Sequence, residues 1–206
     1  MKRNHSSFDN MRLLVNPLPI GDILIFGPKL KTKTVMFLGH CFYEPNAIAV
    51  RLIAEKIFPK LKNVDEGVKF LIVGDCPEFL RKKYAKKNLI FTGPVKNLNT
   101  IYKNVSLCIC PLTVGSGTRV KLLNYFAAGK PTISTRLGAE GIDVKNNKEL
   151  VLENDINKYP HMIAELLQDE TKSIELGKNA RIFVERNHDW EKIGRNLANL
   201  YVNLLI

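Results

Sequence analysis

The sequence lacks the long apolar runs and the leader that would mark a membrane or secreted protein. No stretch of its 206 residues approaches the ~18 uninterrupted apolar residues of a membrane span. The basic start, residues 1–5, is followed by polar residues rather than by an apolar segment and a cleavage site, so no signal peptide is predicted. We therefore expect a soluble, cytoplasmic protein.

Cysteine is also scarce, and its spacing is unlike that of a metal or redox motif. The four cysteines, Cys41, Cys76, Cys108 and Cys110, form no Cys-x-x-Cys pair. Cys108 and Cys110 are two residues apart, which would place both on one face of a strand. We expect buried free thiols in a reducing compartment, and no metal site.

Acidic residues are outnumbered, since 31 Lys and Arg oppose 20 Asp and Glu, for a formal charge of +11. This charge favours an anionic partner such as a nucleotide, nucleic acid or anionic lipid, but does not choose among them. Nucleic acid is not expected, because no aromatic platform or recognised binding module is present. One basic cluster is either a solvated helix face or a contact for nucleic acid or lipid: Arg81, Lys82, Lys83, Lys86 and Lys87.

Short apolar runs, most of them ended by Gly or Pro, alternate with segments of helical spacing. The runs are residues 35–38, 68–74, 88–93, 106–111, 131–135 and 149–152. The helical segments are residues 46–61, 77–87, 98–103, 118–128 and 156–167. Because this alternation requires crossover connections, it predicts a doubly wound α/β domain with a parallel sheet of about six strands. Ligands of such domains bind beyond the carboxyl ends of the strands.

The two ends of the chain differ from this repeating middle. Residues 1–30 carry Pro and Gly among short apolar pieces and are interpreted as a lead-in, with one strand around 22–26; residues 31–206 form the domain. Two helices, at 171–187 and 190–206, close the chain, with Asp189 as a candidate N-cap. The apolar stripe of the final helix is either a packing face or a surface for another domain.

The segment from Pro111 to Pro131 runs from a strand end through a glycine-rich turn into a helix. Gly115 and Gly117 would let the backbone approach a ligand, and the helix N-terminus with its N–H groups favours an anion. Arg119 and Lys121 would add charge-assisted contacts. Val120 stands where a dinucleotide fingerprint needs its third glycine, which argues against NAD. From these residues alone, a tight turn without a ligand is an equal alternative.

Several motifs in order resemble the C-terminal domain of family 4, or group 1, glycosyltransferases, which is one half of a GT-B fold. The core of the resemblance is Gly-x-Gly-Thr-Arg-x-Lys at residues 115–121 together with Ala-x-Gly-Lys-Pro at 127–131. Residues 37–39, 43–46, 71–75, 91–95, 138–142 and 188–190 match further motifs of that family. The resemblance covers about residues 34–205.

The resemblance implies retaining transfer from a nucleoside-diphosphate sugar, held without a metal or cofactor, to a glycan or lipid-linked acceptor. The turn from Gly115 to Arg119 would bind the diphosphate, Lys121 would add charge, and the end of the third strand would meet the base. No catalytic residue is assigned. The implied donor-binding residues are Gly93, Pro94, Val95, Gly115, Ser116, Gly117, Thr118, Arg119, Lys121, Asn124 and Glu140.

Three departures from the family pattern weaken the expectation of independent catalysis. The family's paired glutamates are replaced by Ser116 and Asn124, and its usual arginine after the first strand is His40. An amide in place of a carboxylate is expected to weaken a hydroxyl contact by about 1 kcal/mol. Residues 1–30 are too few for an acceptor domain. We therefore expect a partner, either a separate acceptor-domain protein or a second copy; the alternative is a non-catalytic binding or assembly module. A peripheral contact with the inner face of an anionic membrane is compatible with either.

Overall fold

The computed structural model describes residues 26–117, 119–188 and 190–204. Its centre is one six-stranded sheet in the order β3-β2-β1-β4-β5-β6, with every pair of neighbouring strands parallel. The strands are β1 (Thr34–Leu38), β2 (Lys69–Val73), β3 (Leu89–Gly93), β4 (Leu107–Cys110), β5 (Thr132–Ser134) and β6 (Val151–Leu152). The predicted doubly wound α/β fold is thereby confirmed.

Helices connect the strands and cover both faces of the sheet, which explains why the strands are apolar without alternation. In β1, Val35, Met36 and Phe37 are all fully buried, and the whole of β4 is buried as well. The helices are α1 (Glu44–Leu52), α2 (Phe58–Val64), α3 (Glu78–Tyr84), α4 (Asn99–Tyr102), α5 (Val120–Ala127), α6 (Tyr159–Gln168), α7 (Glu170–Asn187) and α8 (Trp190–Leu204). A π-helical segment, Ile53–Ile57, joins α1 to α2.

The strand order places a topological switch point between β1 and β4. From β1 the chain proceeds to β2 and β3 on one side, whereas β4, β5 and β6 follow on the other side. The connections leave the two central strands in opposite directions, so a crevice opens between them at their carboxyl ends. The candidate functional site lies in this crevice.

Two residues hold the flanking segments against the sheet. Gly177 in α7 packs so closely that a Cβ there would lie 2.2 Å from the carbonyl oxygen of Gly129, just after α5. The Lys130 ammonium is fully buried and donates to the carbonyl oxygens of Val105 and Gly27. Burial lowers the pKa of Lys130 to about 8. Its contact with Gly27 fixes the end of the lead-in segment to the domain.

The cysteines differ in part from the expectation. Cys108 and Cys110 are buried free thiols, and burial raises the pKa of both. Cys41 and Cys76, however, are joined as a disulfide, so the prediction of four free thiols is wrong for this pair. The two residues lie in the loops that follow β1 and β2, which are parallel neighbours, and their Cα atoms are 4.6 Å apart. Sequence spacing alone could not indicate this pairing, because 35 residues separate them.

The last helix, α8, forms where the sequence predicts it. Leu197 is half-buried, whereas Tyr201 and Val202 expose more than half of their surface. The predicted cap Asp189, the final residues 205–206, and most of the strand expected at 22–26 lie outside the described residues. Within the described part of the chain, no helix has the length and apolar character needed to cross a membrane.

Candidate functional site

A cleft of about 280 Å³ opens at the switch point, between the carboxyl ends of β1 and β4. Three segments form it: the loop after β1 with the start of α1, the glycine-rich loop after β4, and the first turns of α5. Residues of all three line it: Leu38, Gly39, His40, Tyr43, Asn46, Leu112, Ser116, Arg119, Val120, Lys121 and Asn124. This is the position where doubly wound domains bind their ligands.

The glycine-rich loop adopts a conformation that requires its glycines. Gly115 and Gly117 have φ angles of +108° and +89°, in the left-handed region that side chains disfavour. Gly115 also lies against Pro45 of α1, where a Cβ would come within 2.7 Å of the proline Cγ. The backbone N–H groups of Ser116 and Gly117 donate no hydrogen bond to another described residue. They are therefore available to an anion in front of α5.

Arg119 fixes the shape of this loop from beneath. Its side chain is 3% exposed. The guanidinium donates to the carbonyl oxygens of Gly115 at 3.1 Å and Ser116 at 3.0 Å, and its Nε donates to that of Leu137 at 3.0 Å. One of its nitrogens also lies 3.3 Å from a carboxylate oxygen of Glu140. Because these contacts use most of its donors, Arg119 positions the loop rather than presenting a free cation.

Lys121 is the cation that reaches the cleft itself. Its Nζ donates to Oδ1 of Asn46 at 2.5 Å and lies 4.2 Å from the centre of the Phe37 ring. The Asn46 amide in turn donates to the carbonyl oxygen of His40 at 2.9 Å. Burial lowers the pKa of Lys121 to about 8, and the nearby Arg119 guanidinium acts in the same direction. No carboxylate pairs with this ammonium among the described residues, so an anionic ligand would be its natural counter-ion.

The loop after β5 closes the crevice on the side opposite β1. Gly138 in this loop lies so close to β4 that a Cβ would come within 2.5 Å of the Cys110 carbonyl oxygen. Its N–H donates to the hydroxyl of Thr135, which donates to the carbonyl oxygen of Leu112. Glu140 lies two residues after Gly138. Its side chain is 61% exposed and is connected to the site through its ion pair with Arg119.

The structure brings together some of the sequence-predicted residues and separates others. Ser116, Arg119, Lys121 and Asn124 all line the cleft, and Gly115 and Gly117 shape the loop beside it. Gly93 ends β3 and Pro94 and Val95 follow it, two strands away from β1, and none of the three is among the residues that line the cleft. Thr118 lies outside the described residues.

Sequence reasoning assigned no role to Asn46 or Tyr43, which the fold brings into the cleft. Asn46 is 8% exposed and holds Lys121, and the Tyr43 hydroxyl lies 3.4 Å from the carbonyl oxygen of Ser116. The available signals were the family-like motif at residues 43–46 and a polar residue directly after Pro45, at the start of an apolar helix. Among the described residues, no group of three or more His, Cys, Asp or Glu is placed to hold a metal ion.

A parallel sheet with a glycine-rich loop at its switch point places the domain in the doubly wound α/β class, whose ligands bind at that point. The comparison with family models makes this assignment specific, since residues 32–169 match the model described as group 1 glycosyl transferases. The chain belongs to this family.

Comparison with individual proteins shows how much of its relatives the chain represents. A Klebsiella pneumoniae protein, described as an uncharacterized 44.6 kDa protein in the cps region, is 24% identical over 80% of this chain. The chain is also similar to Anabaena HepE solved with UDP-glucose, at TM-score 0.65 and 15% identity over 84% of the chain. It spans 45% of the Klebsiella protein and 49% of HepE.

A second similar structure consists of the C-terminal domain of such an enzyme alone. It is the C-terminal domain of LpcC, a group 1 family glycosyl transferase from Francisella tularensis. The match has TM-score 0.56 and 14% identity, and it covers 84% of this chain and 98% of that domain. The fold of this chain therefore corresponds to one half of a GT-B glycosyltransferase.

Proposed function

We propose that this chain is the donor-binding half of a retaining glycosyltransferase and binds a nucleoside-diphosphate sugar in the cleft at its switch point. The observation that carries the proposal is the cleft wall formed by the 115–117 loop and by Lys121. Two N–H groups of the loop donate to no other described residue, and Lys121 has no carboxylate partner among those residues. Both are suited to a diphosphate. The solved complex of HepE with UDP-glucose, whose fold is similar, supports the same ligand class.

The remaining residues fit around a diphosphate placed at this wall. The α5 N-terminus would favour its negative charge, and Asn124, one turn further along α5, would lie beside the sugar or the ribose. The end of β3, with Gly93, Pro94 and Val95, would contact the base only if the nucleotide extends along the carboxyl edge. Such binding needs no metal, because backbone N–H groups and lysine supply the positive charge.

Transfer to a glycan or lipid-linked acceptor requires a second surface, since residues 26–204 form one half of the GT-B architecture. An acceptor domain would supply it, at the cytoplasmic face of a membrane. The second candidate function, a non-catalytic binding or assembly module, is favoured by one observation: an amide, Asn124, occupies a position in the cleft where the family has a carboxylate.

Thermal unfolding with nucleotides tests the proposal directly. At 100 times its dissociation constant, a ligand stabilises the folded chain by about 2.7 kcal/mol, which corresponds to a rise in Tm of roughly 5 to 10 °C. We expect this rise with the diphosphate of one base and its sugar conjugate, among UDP, GDP and ADP. Lys121→Met should lose it, whereas Lys178→Met, which removes an exposed lysine on α7, should retain it. No rise with any nucleotide would contradict the proposal.

Binding should also depend on pH through Lys121. Its pKa is about 8 in the free protein, and a bound diphosphate favours the charged form, so the pKa is higher in the complex. Affinity therefore depends little on this group well below pH 8 and falls as the pH rises through 8, by about tenfold between pH 7.5 and 9. Titration calorimetry across this range would measure it. Lys121→Arg keeps its charge and should give a flat profile; the same slope in that variant would exclude Lys121 as the cause.

A further inference from the structure

Helix α3 presents an exposed basic and aromatic surface that the cleft does not use. We define the α3 surface as Phe79, Arg81, Lys82, Lys83, Lys86 and Lys87, all of which are exposed. Leu80 and Tyr84 of the same helix are buried and anchor it to the core. The surface therefore lies on α3 and on Lys86 and Lys87 just after it. Because the opposite side of the helix is fixed to the core, these side chains can contact a partner without local unfolding.

The charges of this surface are only partly compensated. Residues 78–87 contain five cations and one acidic residue, Glu78, which gives a net charge of +4. Lys82 pairs with Glu78 and Lys83 with Glu55, but these side chains are each more than half exposed, so solvent screens the pairs. Within the described ranges, Arg81, Lys86 and Lys87 have no acidic partner. The surface is thus complementary to an extended negative charge.

Phe79 distinguishes this surface from an ordinary solvated helix face. Its ring is 62% exposed at the start of α3, three and four residues before Lys82 and Lys83, which places it on the same side of the helix as these two cations. An exposed aromatic ring flanked by lysines is the arrangement that inserts at the headgroup level of a bilayer while the cations meet anionic lipids. A nucleic-acid groove would instead require aromatic rings in succession as stacking platforms.

The position of Phe79 relates this surface to the cleft. Because α3 follows β2, its first residues lie at the carboxyl edge of the sheet, where the cleft also opens. The loop before α3 is joined to the loop after β1 through Cys41 and Cys76. The loop after β1 also carries Phe42, which is 61% exposed and lies two residues after the cleft residue His40. A flat partner that contacts Phe79 would therefore lie near the mouth of the cleft.

We propose that the α3 surface docks the chain on an anionic bilayer, with Phe79 inserted among the headgroups and the cations against lipid phosphates. The proposal that the chain binds a membrane rests only on the cations and the exposed ring of the α3 surface. Its consequence, that the cleft is brought to a lipid-linked acceptor, rests on the proposed function. We assign the contact to this surface because exposed cations and the exposed Phe79 ring coincide there.

Co-sedimentation with vesicles tests the proposal. Vesicles with about one third phosphatidylglycerol should bind the chain at low salt, phosphatidylcholine vesicles should not, and salt should weaken the binding. Each cation near the surface changes the partition by about fivefold, so Arg81→Gln, Lys82→Gln and Lys83→Gln together should reduce it on the order of 100-fold. Phe79→Ser should reduce it further. The controls are the triple change Lys145→Gln, Lys148→Gln, Lys178→Gln and the exposed apolar change Ile174→Ser, and both should bind nearly as the unaltered chain does.

The outcomes separate this proposal from the proposed function. A Tm rise with nucleotide that persists in the α3 variants shows that they are folded and that the cleft is intact. Equal binding to both vesicle types, or equal loss in the control triple variant, would overturn the α3 surface as the docking site. Salt-dependent binding to a random DNA duplex without vesicle binding would overturn it in favour of nucleic acid. Failure of the nucleotide experiment alone would leave vesicle binding as evidence for the surface.

Discussion

Replacing Arg119 with lysine is expected to lower the Tm of the chain by roughly 5 to 15 °C. The guanidinium is buried and connects the glycine-rich loop to the loop after β5 through the carbonyl oxygens of Gly115, Ser116 and Leu137. A lysine has one nitrogen and cannot reach all three, so buried acceptors lose their partners at a cost of about 2 to 4 kcal/mol. For a domain of this size, each kcal/mol lowers the Tm by roughly 2 to 4 °C.

The same substitution should remove the nucleotide-dependent rise in Tm. Without the three guanidinium hydrogen bonds, the 115–117 loop loses its main support at φ angles of +108° and +89°, and its two N–H groups are no longer held in place for an anion. Arg136→Lys is the matched control, because Arg136 lies in the same loop as Leu137 but its side chain is exposed. Differential scanning fluorimetry of both variants, with and without nucleotide, measures the two effects. An Arg119→Lys variant as stable as Arg136→Lys would show that the guanidinium hydrogen bonds of Arg119 are not needed for stability.

The two readouts separate structure from function. If the chain is a non-catalytic module that binds no nucleotide, Arg119→Lys still lowers the Tm, since the loss of hydrogen bonds does not depend on a ligand. Only the nucleotide-dependent rise tests the donor site. The change in Tm without nucleotide therefore tests the hydrogen bonds of Arg119, and the nucleotide-dependent rise in Tm tests the proposed function.

The fold could be predicted from the sequence because the strands are buried on both faces. Residues 35–38 and 106–111 are almost purely apolar, which is what a central parallel strand requires, and β1 and β4 formed there. The glycine-rich turn could be placed for a similar local reason, since a strand end, two glycines and a helix follow each other directly. Local patterns of this kind need no knowledge of which elements become neighbours.

Contacts across the fold could not be predicted in the same way. Asn46 and Lys121 are 75 residues apart, and only the pairing of β1 with β4 brings them within hydrogen-bond distance. Arg119 was expected to face the ligand, but its donors are directed to backbone carbonyls that the β5 loop and its own turn supply. Sequence gives the type of a side chain and its element, whereas its partner is set by the packing of elements distant in the chain.

The two glycines of the turn, which look equivalent in the sequence, are expected to respond differently to substitution. At Gly115 a Cβ would meet Pro45 at 2.7 Å, and the residue also has φ of +108°, so Gly115→Ala combines a clash with backbone strain. At Gly117, with φ of +89°, a Cβ would have nothing within 4 Å, so strain of about 1 to 3 kcal/mol acts alone. We expect Gly115→Ala to abolish measurable nucleotide binding and Gly117→Ala to weaken it by about tenfold.

Gly141→Ala provides the control for backbone strain away from the cleft. Gly141 has φ of +80°, is exposed and would have nothing within 4 Å of a new Cβ, as at Gly117. It should therefore lower the Tm about as much as Gly117→Ala while leaving the nucleotide affinity unchanged, as measured by titration calorimetry. If Gly115→Ala bound the nucleotide with unchanged affinity, the 115–117 loop would not be part of the binding site. Gly141 lies outside the turn after β4, where the N–H groups proposed to bind the diphosphate are placed. If Gly141→Ala weakened binding as much as Gly117→Ala, the loss in both variants would therefore come from general destabilisation.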